Sequence, residues 1–280
     1  MGAGGAKAED AIEAAFETVK RVHDLMSFHD AASDVSRLNR AEPGEAVIIE
    51  RWTYQVLATS LDLHRRSLGC FDITVAPVLQ LLGFLPSAAQ DAPFAREPGA
   101  SGSIALLPGN RVRIERPGTK IDLGGIAKGF AVDRAVDVLR QRGIEAGLVN
   151  AGGDLAAFGP EKHAVAIRDP RDPVRLLCHV LLKDAALASS ALTFDPVRST
   201  VVGRSAVIDP KNSQPVQEIC GASVHARSCL VADALTKVVM ISGASSTVVL
   251  DHYRASALLV MPNGEVETTD SWRDACSVAA

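Results

Sequence analysis

From Ala8 to Met26 the chain alternates apolar and charged positions with a helical period. Ile12, Phe16, Val19, Val22 and Met26 recur at three- and four-residue spacing with Glu, Lys and Arg opposite, which predicts a helix packed on a core through that stripe. Asp30 and Ser33 turn or cap the backbone ahead of a short helix at Asp34–Asn39, where Asn39 either ends the helix or faces a ligand. A further helix is predicted over Glu50–Ser67, with Val56, Leu57, Leu61 and Leu63 inside, and Gly69-Cys70 breaks it. In FDITVAPVLQLLGF the β-branched Ile73, Thr74 and Val75 predict an extended start, and Pro77 suits the first turn of a short helix carrying Val78, Leu81 and Leu82. Asp72, at the head of this run, is either a cap or an acid turned to a ligand.

The stretch 86–102 is rich in Pro, Ala and Ser without periodicity and reads as a surface insertion. Ile104–Leu107 and Arg111–Ile114 form a hairpin pattern around Pro-Gly-Asn. Then comes IDLGGIAKGFAVDRAVDVLRQRGIEAGLVNAGGDLAAFG. A strand ends at Lys120–Leu123, Gly124-Gly125 turns, and a helix Gly129–Gln141 buries Ala131, Ala135, Val138 and Leu139 until Gly143 stops it. Strands follow at Gly147–Val149, Val165–Ile167, Leu176–Leu182, Leu187–Ser190, Ala206–Ile208 and Ala222–Val224. A helix at Val231–Ser242 buries Ala234, Leu235, Val238 and Val239. Thr247–Val249 and Ala257–Met261 read as strands, Asn263-Gly264 as a hairpin turn before Val266, and the chain after Ser271 as a loose tail. Antiparallel pairs mixed with separate helices predict an α+β fold rather than a doubly wound parallel sheet.

Composition narrows the function. The chain has 280 residues, is 47% hydrophobic and 22% charged, and carries a net charge of −4. That supports a sizeable core and argues against a nucleic-acid backbone binder, which needs clustered Lys and Arg. No apolar run approaches a membrane span, and no secretory signal is visible at the N-terminus. Cys70, Cys178, Cys220, Cys229 and Cys276 are widely spaced, without a CxxC pair, and read as free thiols.

The chemistry concentrates at turns. Gly124-Gly125 followed by Lys128 at a helix start brings backbone N–H groups and an ammonium together, which suits an anion, although an ordinary solvated lysine fits the same pattern. Neither GxGxxG nor a Walker loop is present. The seven histidines lack metal-ligand spacing, and there is no GxSxG. Asp72, Asp122, Asp154, Asp209 and Asp233 each stand at an element boundary. Asp233, in the first turn of its helix, is the best donor for a hard cation such as Mg²⁺, or else a cap.

Seven stretches in order resemble the ApbE family of FAD:protein FMN transferases: MSFHDAASDVSRLN, FDITVAPVLQLLGF, IDLGGIAKGFAVD, LVNAGGDLAAFG, AIRDP, VIDP and ASVHARSCLVADAL. The resemblance implies one catalytic domain over 1–280 with two α+β subdomains, and FAD between them with Mg²⁺ at its pyrophosphate. The reaction it implies is transfer of FMN to a Thr or Ser hydroxyl of an acceptor flavoprotein. Alternatives are a flavin carrier that has lost turnover, or an FAD pyrophosphatase. Carried over, Met26 and Asn39 line the flavin or adenine pocket, Cys70, Phe71 and Asp72 form a second wall, and Asp122, Lys128 and Val207 contact the ligand. The Gly125 carbonyl and Asp233 hold the metal, and Lys128 and Asp233 carry the phosphoryl-transfer chemistry.

The chain departs from the family pattern on the ligand side. ADALTK puts Lys237 where the family has a metal-binding Thr, with Thr236 one residue early and about 100° around the helix. Ala206 stands at the family's His before Asp-Pro, ASSA at 188–191 replaces an ATSG-like turn, and His163 replaces a Trp. Family members are often exported lipoproteins, so a periplasmic site is expected if the start is trimmed and a cytoplasmic one as the chain stands.

Overall fold

The computed structural model describes residues 3–87, 100–192, 205–275 and 277–278. At its centre is a six-stranded sheet in the order β13-β12-β11-β8-β5-β4, with every described neighbour antiparallel. These strands are β4 (Gly147–Ala151), β5 (Asp154–Phe158), β8 (Ala185–Ala191), β11 (Gly221–Ala226), β12 (Ser256–Val260) and β13 (Val266–Thr268). Both faces are covered, and the two-residue period sorts the side chains. Along β5, Ala156 and Phe158 join the main core, whereas Leu155 and Ala157 face a second cluster. Along β12, Ala257 and Leu259 take the first side and Leu258 and Val260 the second.

Helices α5 (Ala127–Gln141) and α6 (Cys229–Ser242) pack against the sheet on the main-core side, and α1 (Ala3–Met26) lies on α5. The second cluster joins the sheet to β6 (His163–Asp169) and β7 (Asp172–Leu182), which pair antiparallel; β14 (Ser277–Val278) adds to β7. A small sheet, β1 (Ala46–Ile48), β3 (Arg111–Ile114) and β2 (Ile104–Leu107), stands apart with α2 (Asp34–Arg40), α3 (Arg51–Arg66) and α4 (Ala76–Leu81), and β9 (Ile208–Asp209) pairs antiparallel with β10 (Gln214–Pro215). Its β2–β3 pairing is the expected hairpin, as is the β12–β13 turn at Gly264. The fold is α+β, as expected.

Several expectations need correction. The buried stripe of α1 is Ala11, Ala15, Val22 and Met26; Ile12 and Phe16 are 50% and 70% exposed. In the first turns the buried positions are one residue earlier than expected, whereas Val22 and Met26 are buried as expected. Leu81 is also exposed, and Leu79 is buried in its place. Residues 71–75 form a turn around Asp72, which accepts the Thr74 N–H at 2.6 Å, instead of extended chain.

Thr247–His252 is helix α7, not a strand. Its buried positions Ser246, Val249 and Leu250, with Tyr253 half-buried, follow the helical i, i+3, i+4, i+7 series that β-branched residues masked. Cys229–His252 is long and apolar enough by composition to cross a bilayer, contrary to expectation. In the fold it breaks at Gly243 (φ 52°) between α6 and α7, and 56% of the apolar window is buried in the protein. The tail is not loose at Trp272. Helix α8 (Asp270–Ala275) sets this indole, 2% exposed, into the second cluster. Of the proposed insertion, 88–99 lies outside the described residues, while Ala100 and Ser101 are buried. Cys70, Cys178, Cys220 and Cys229 are free, and Cys276 lies outside the described residues.

Candidate functional site

Where α5 crosses α6 the backbones nearly touch. A Cβ on Gly129 would stand 2.2 Å from the Cys229 carbonyl oxygen, so only glycine permits this crossing. The closeness lets each helix satisfy the other's orphan N–H groups. Asp133 of α5 accepts from Cys229 N and Leu230 N at 2.8 and 2.9 Å, and Asp233 Oδ2 of α6 accepts from Gly129 N at 3.1 Å. Asp133 is a functional-site support that sequence reading missed. An aspartate one turn inside a helix looks like a surface charge until its partner helix is in place.

This crossing aims two lysines into a cleft of about 500 Å³. Lys128 leaves the first turn of α5, pairs with Asp154 and lies 3.6 Å from Asp233 Oδ1. Lys237, one turn after Asp233 on α6, pairs with Asp233 Oδ1 and donates to its main-chain carbonyl at 3.0 Å. The Lys128 side chain is 54% exposed and that of Lys237 18%, whereas those of Asp154 and Asp233 are 2% and 0%. The ammonium groups thus face the cleft with the carboxylates behind them. Burial pushes the Asp233 carboxyl up, but Lys237 and Lys128 outweigh it and hold the group below the usual carboxylate range. Burial lowers Lys128 in turn, and Asp233 and Asp154 raise it further, so it stays charged. Burial and the neighbouring Asp233 push Asp154 up.

The opposite wall is apolar: Phe71, Val75, Leu79, Phe84, Val207 and Ile208. Asp72 anchors it. Asp72 Oδ1 accepts from Thr74 N and Oγ1 and from Ser101 Oγ (2.6, 2.5 and 2.8 Å), and Oδ2 faces His64 Nδ1 at 3.2 Å. Burial raises this carboxyl, and the bonds from His64, Thr74 and Ser101 bring it below its ordinary value. The Asp72 bond raises His64 against the effect of burial. His64 and Ser101 carried no signal in the sequence, one lying in the last turn of a helix and the other inside an apparent insertion.

Of the residues expected at a ligand, Cys70, Phe71, Asp72, Asp122, Gly125, Lys128, Val207 and Lys237 line this one cleft. Burial pushes the Asp122 carboxyl up, and the Gly124 N–H opposes it. Met26 and Asn39 are not among the lining residues. Met26 is core, and the Asn39 amide is spent on Ile121, donating to its carbonyl at 2.9 Å and accepting its N–H at 2.7 Å. Asn39 therefore fixes the segment that presents Asp122. Asp233 also stands behind the lining, reaching the cleft through its lysines. A second cavity of about 600 Å³ lies between β6 and the sheet and shares Gly152, Ser189 and Ser190 with the first, but among the described residues Arg168 is its one ionisable lining residue.

The model of the ApbE family matches residues 4–258. The chain belongs to the ApbE family. It is 30% identical over 237 residues to the FAD:protein FMN transferase of Vibrio cholerae serotype O1, covering 80% of this chain and 71% of that one. It is 26% identical over 250 residues to the Escherichia coli K12 protein of the same name, covering 84% and 68%. Among solved structures, the ApbE protein of Thermotoga maritima superposes with a TM-score of 0.83 at 28% identity, over 95% of this chain and 91% of that one. The apo flavinyl transferase ApbE of Pseudomonas stutzeri gives 0.81 at 24% identity, covering 97% and 90%, and so supports the ApbE fold alone.

Proposed function

We propose that this protein transfers FMN from FAD to a hydroxyl of an acceptor protein. The observation that carries this is the convergence, on one cleft, of an apolar wall for a flavin ring and two lysines beside the N-terminus of α5 for a pyrophosphate. Membership of a family whose named relatives are FAD:protein FMN transferases supports it.

In this reading Phe71, Val75 and Val207 hold the ring system and keep water from it. Lys128 and Lys237 neutralise the phosphates, and Asp154 and Asp233 fix the lysine heads so that little reorganisation is needed as charge builds. The acceptor oxygen bonds to the flavin-side phosphorus. The bond from that phosphorus to the bridging oxygen breaks, AMP leaves with that oxygen, and the hydroxyl proton passes to solvent or a base.

The test incubates the purified protein with FAD and an acceptor protein flavinylated by a family transferase. Flavin fluorescence on the denatured acceptor, with equimolar AMP, is expected. Free FMN and AMP without labelled acceptor assigns water as the acceptor. FAD bound with neither product removes the enzyme reading in favour of a flavin carrier, the alternative that Ala206 favours by putting a methyl group in the cleft where the resemblance expects an imidazole.

Mg²⁺ is implied by the resemblance, but the residues present match it poorly. Both Asp233 oxygens already have donors, in Lys237 and Gly129 N–H, and the Thr236 hydroxyl is bonded to Asp233 O and Ser190 Oγ.

A further inference from the structure

The two ammonium groups and two carboxylates of Lys128, Lys237, Asp154 and Asp233 sum to zero charge without a metal. The Lys237 stem rests on Gly125, with its Cε 3.5 Å from where a Cβ on that glycine would stand. Its head lies between the Asp233 carboxylate and the cleft. A divalent cation held by Asp233 and the Gly125 carbonyl would have to share that space with a charged ammonium. It would also place two further positive charges beside two lysines whose paired carboxylates are buried, where like charges repel more than in water.

We propose that the Lys237 ammonium is the built-in cation of this site, so that the protein binds the pyrophosphate of FAD without a divalent metal. This rests on the function proposed above. An ammonium offers three donors and suits a phosphate oxygen directly. Its position is over-determined by Asp233 Oδ1, Asp233 O and the glycine beneath. The four-residue spacing on α6 makes the arrangement a property of the helix: Lys237 folds back one turn onto Asp233.

The experiment uses the full chain and two probes. Manganese(II) is titrated alone and followed by the paramagnetic resonance of the free ion. FAD is titrated by flavin fluorescence in EDTA and again in excess Mg²⁺. The wild type is expected to take up no Mn²⁺, and its FAD affinity to change less than about twofold between the two buffers, a difference well below the tenfold step of a lost charged contact. Lys237→Thr is expected to take up Mn²⁺ and to need Mg²⁺ for FAD binding, by about tenfold or more.

Stoichiometric Mn²⁺ uptake by the wild type, or a tenfold loss of its FAD affinity in EDTA, overturns the proposal. If Lys237→Thr folds poorly, melting temperature decides. Mg²⁺ should leave the wild type unchanged and raise the variant, because a ligand bound only by the folded state stabilises it; a rise in the wild type counts against the proposal. FAD binding absent in both buffers removes the function reading, while the Mn²⁺ and melting results still judge the cation.

Discussion

Gly129→Ala separates two predictions of opposite sign. Within an isolated helix the change stabilises by about 1 kcal/mol, because alanine is the better helix former. At the α5–α6 crossing the added methyl carbon would sit 2.2 Å from the Cys229 oxygen, 2.5 Å from its carbonyl carbon and 2.8 Å from Leu230 N. All three are main-chain atoms and cannot rotate aside. Overpacking of this kind costs about 1–3 kcal/mol, and a contact this deep belongs at the upper end. Parting the helices also stretches the charge-assisted bonds of Asp233 to Gly129 N and of Asp133 to Cys229 and Leu230 N, each worth about 1.5–3 kcal/mol. With one of them lost, the net destabilisation is about 4 kcal/mol. For a chain of 280 residues that lowers the melting temperature by about 7 °C. Thermal denaturation followed by circular dichroism measures it. Gly102→Ala, where no atom lies within 4 Å of the new carbon, is the control and should stay within about 0.5 kcal/mol of wild type. A Gly129→Ala protein as stable as wild type, or more so, refutes the close crossing and with it the account of how Lys128 and Asp233 are placed.

Trp272→Ala should destabilise by about 3–5 kcal/mol, read as a lower urea midpoint, because the indole closes the second core cluster; a change under about 1 kcal/mol would mean the tail is loose after all. The His64–Asp72 pair predicts a pH effect of fixed sign. The imidazole is raised above its ordinary 6.5, so its stabilisation is complete below that value and is lost as pH rises through the higher folded-state value. The Asp72 carboxyl is lowered, so its share is present above its ordinary 3.8 and lost as pH falls below it. Urea midpoints of wild type should therefore decline across the alkaline side of the imidazole range, and His64→Gln should flatten that decline; an equally steep profile in the variant contradicts the pairing.

The sequence by itself determined the long helices, the two hairpins and the order of the glycine- and aspartate-bearing turns, since these depend on local periodicity and on residues with special backbone freedom. It also marked Asp72, Asp122, Lys128 and Lys237, each beside a turn or out of keeping with its surroundings, and the fold gathers them on one cleft. Only the tertiary structure decided which positions in the first turns of α1 are buried, because Ile12 and Ala11 differ by one position in phase and packing on α5 takes the alanines. It decided that 247–252 is helical, since burial of Val249 and Leu250 outweighs β-branched propensity. It showed the Asn39 amide clamping Ile121, and made Asp133 and Asp233 mutual caps. Those roles depend on partners 82 to 104 positions away along the chain, a separation at which local pattern carries no information about contact.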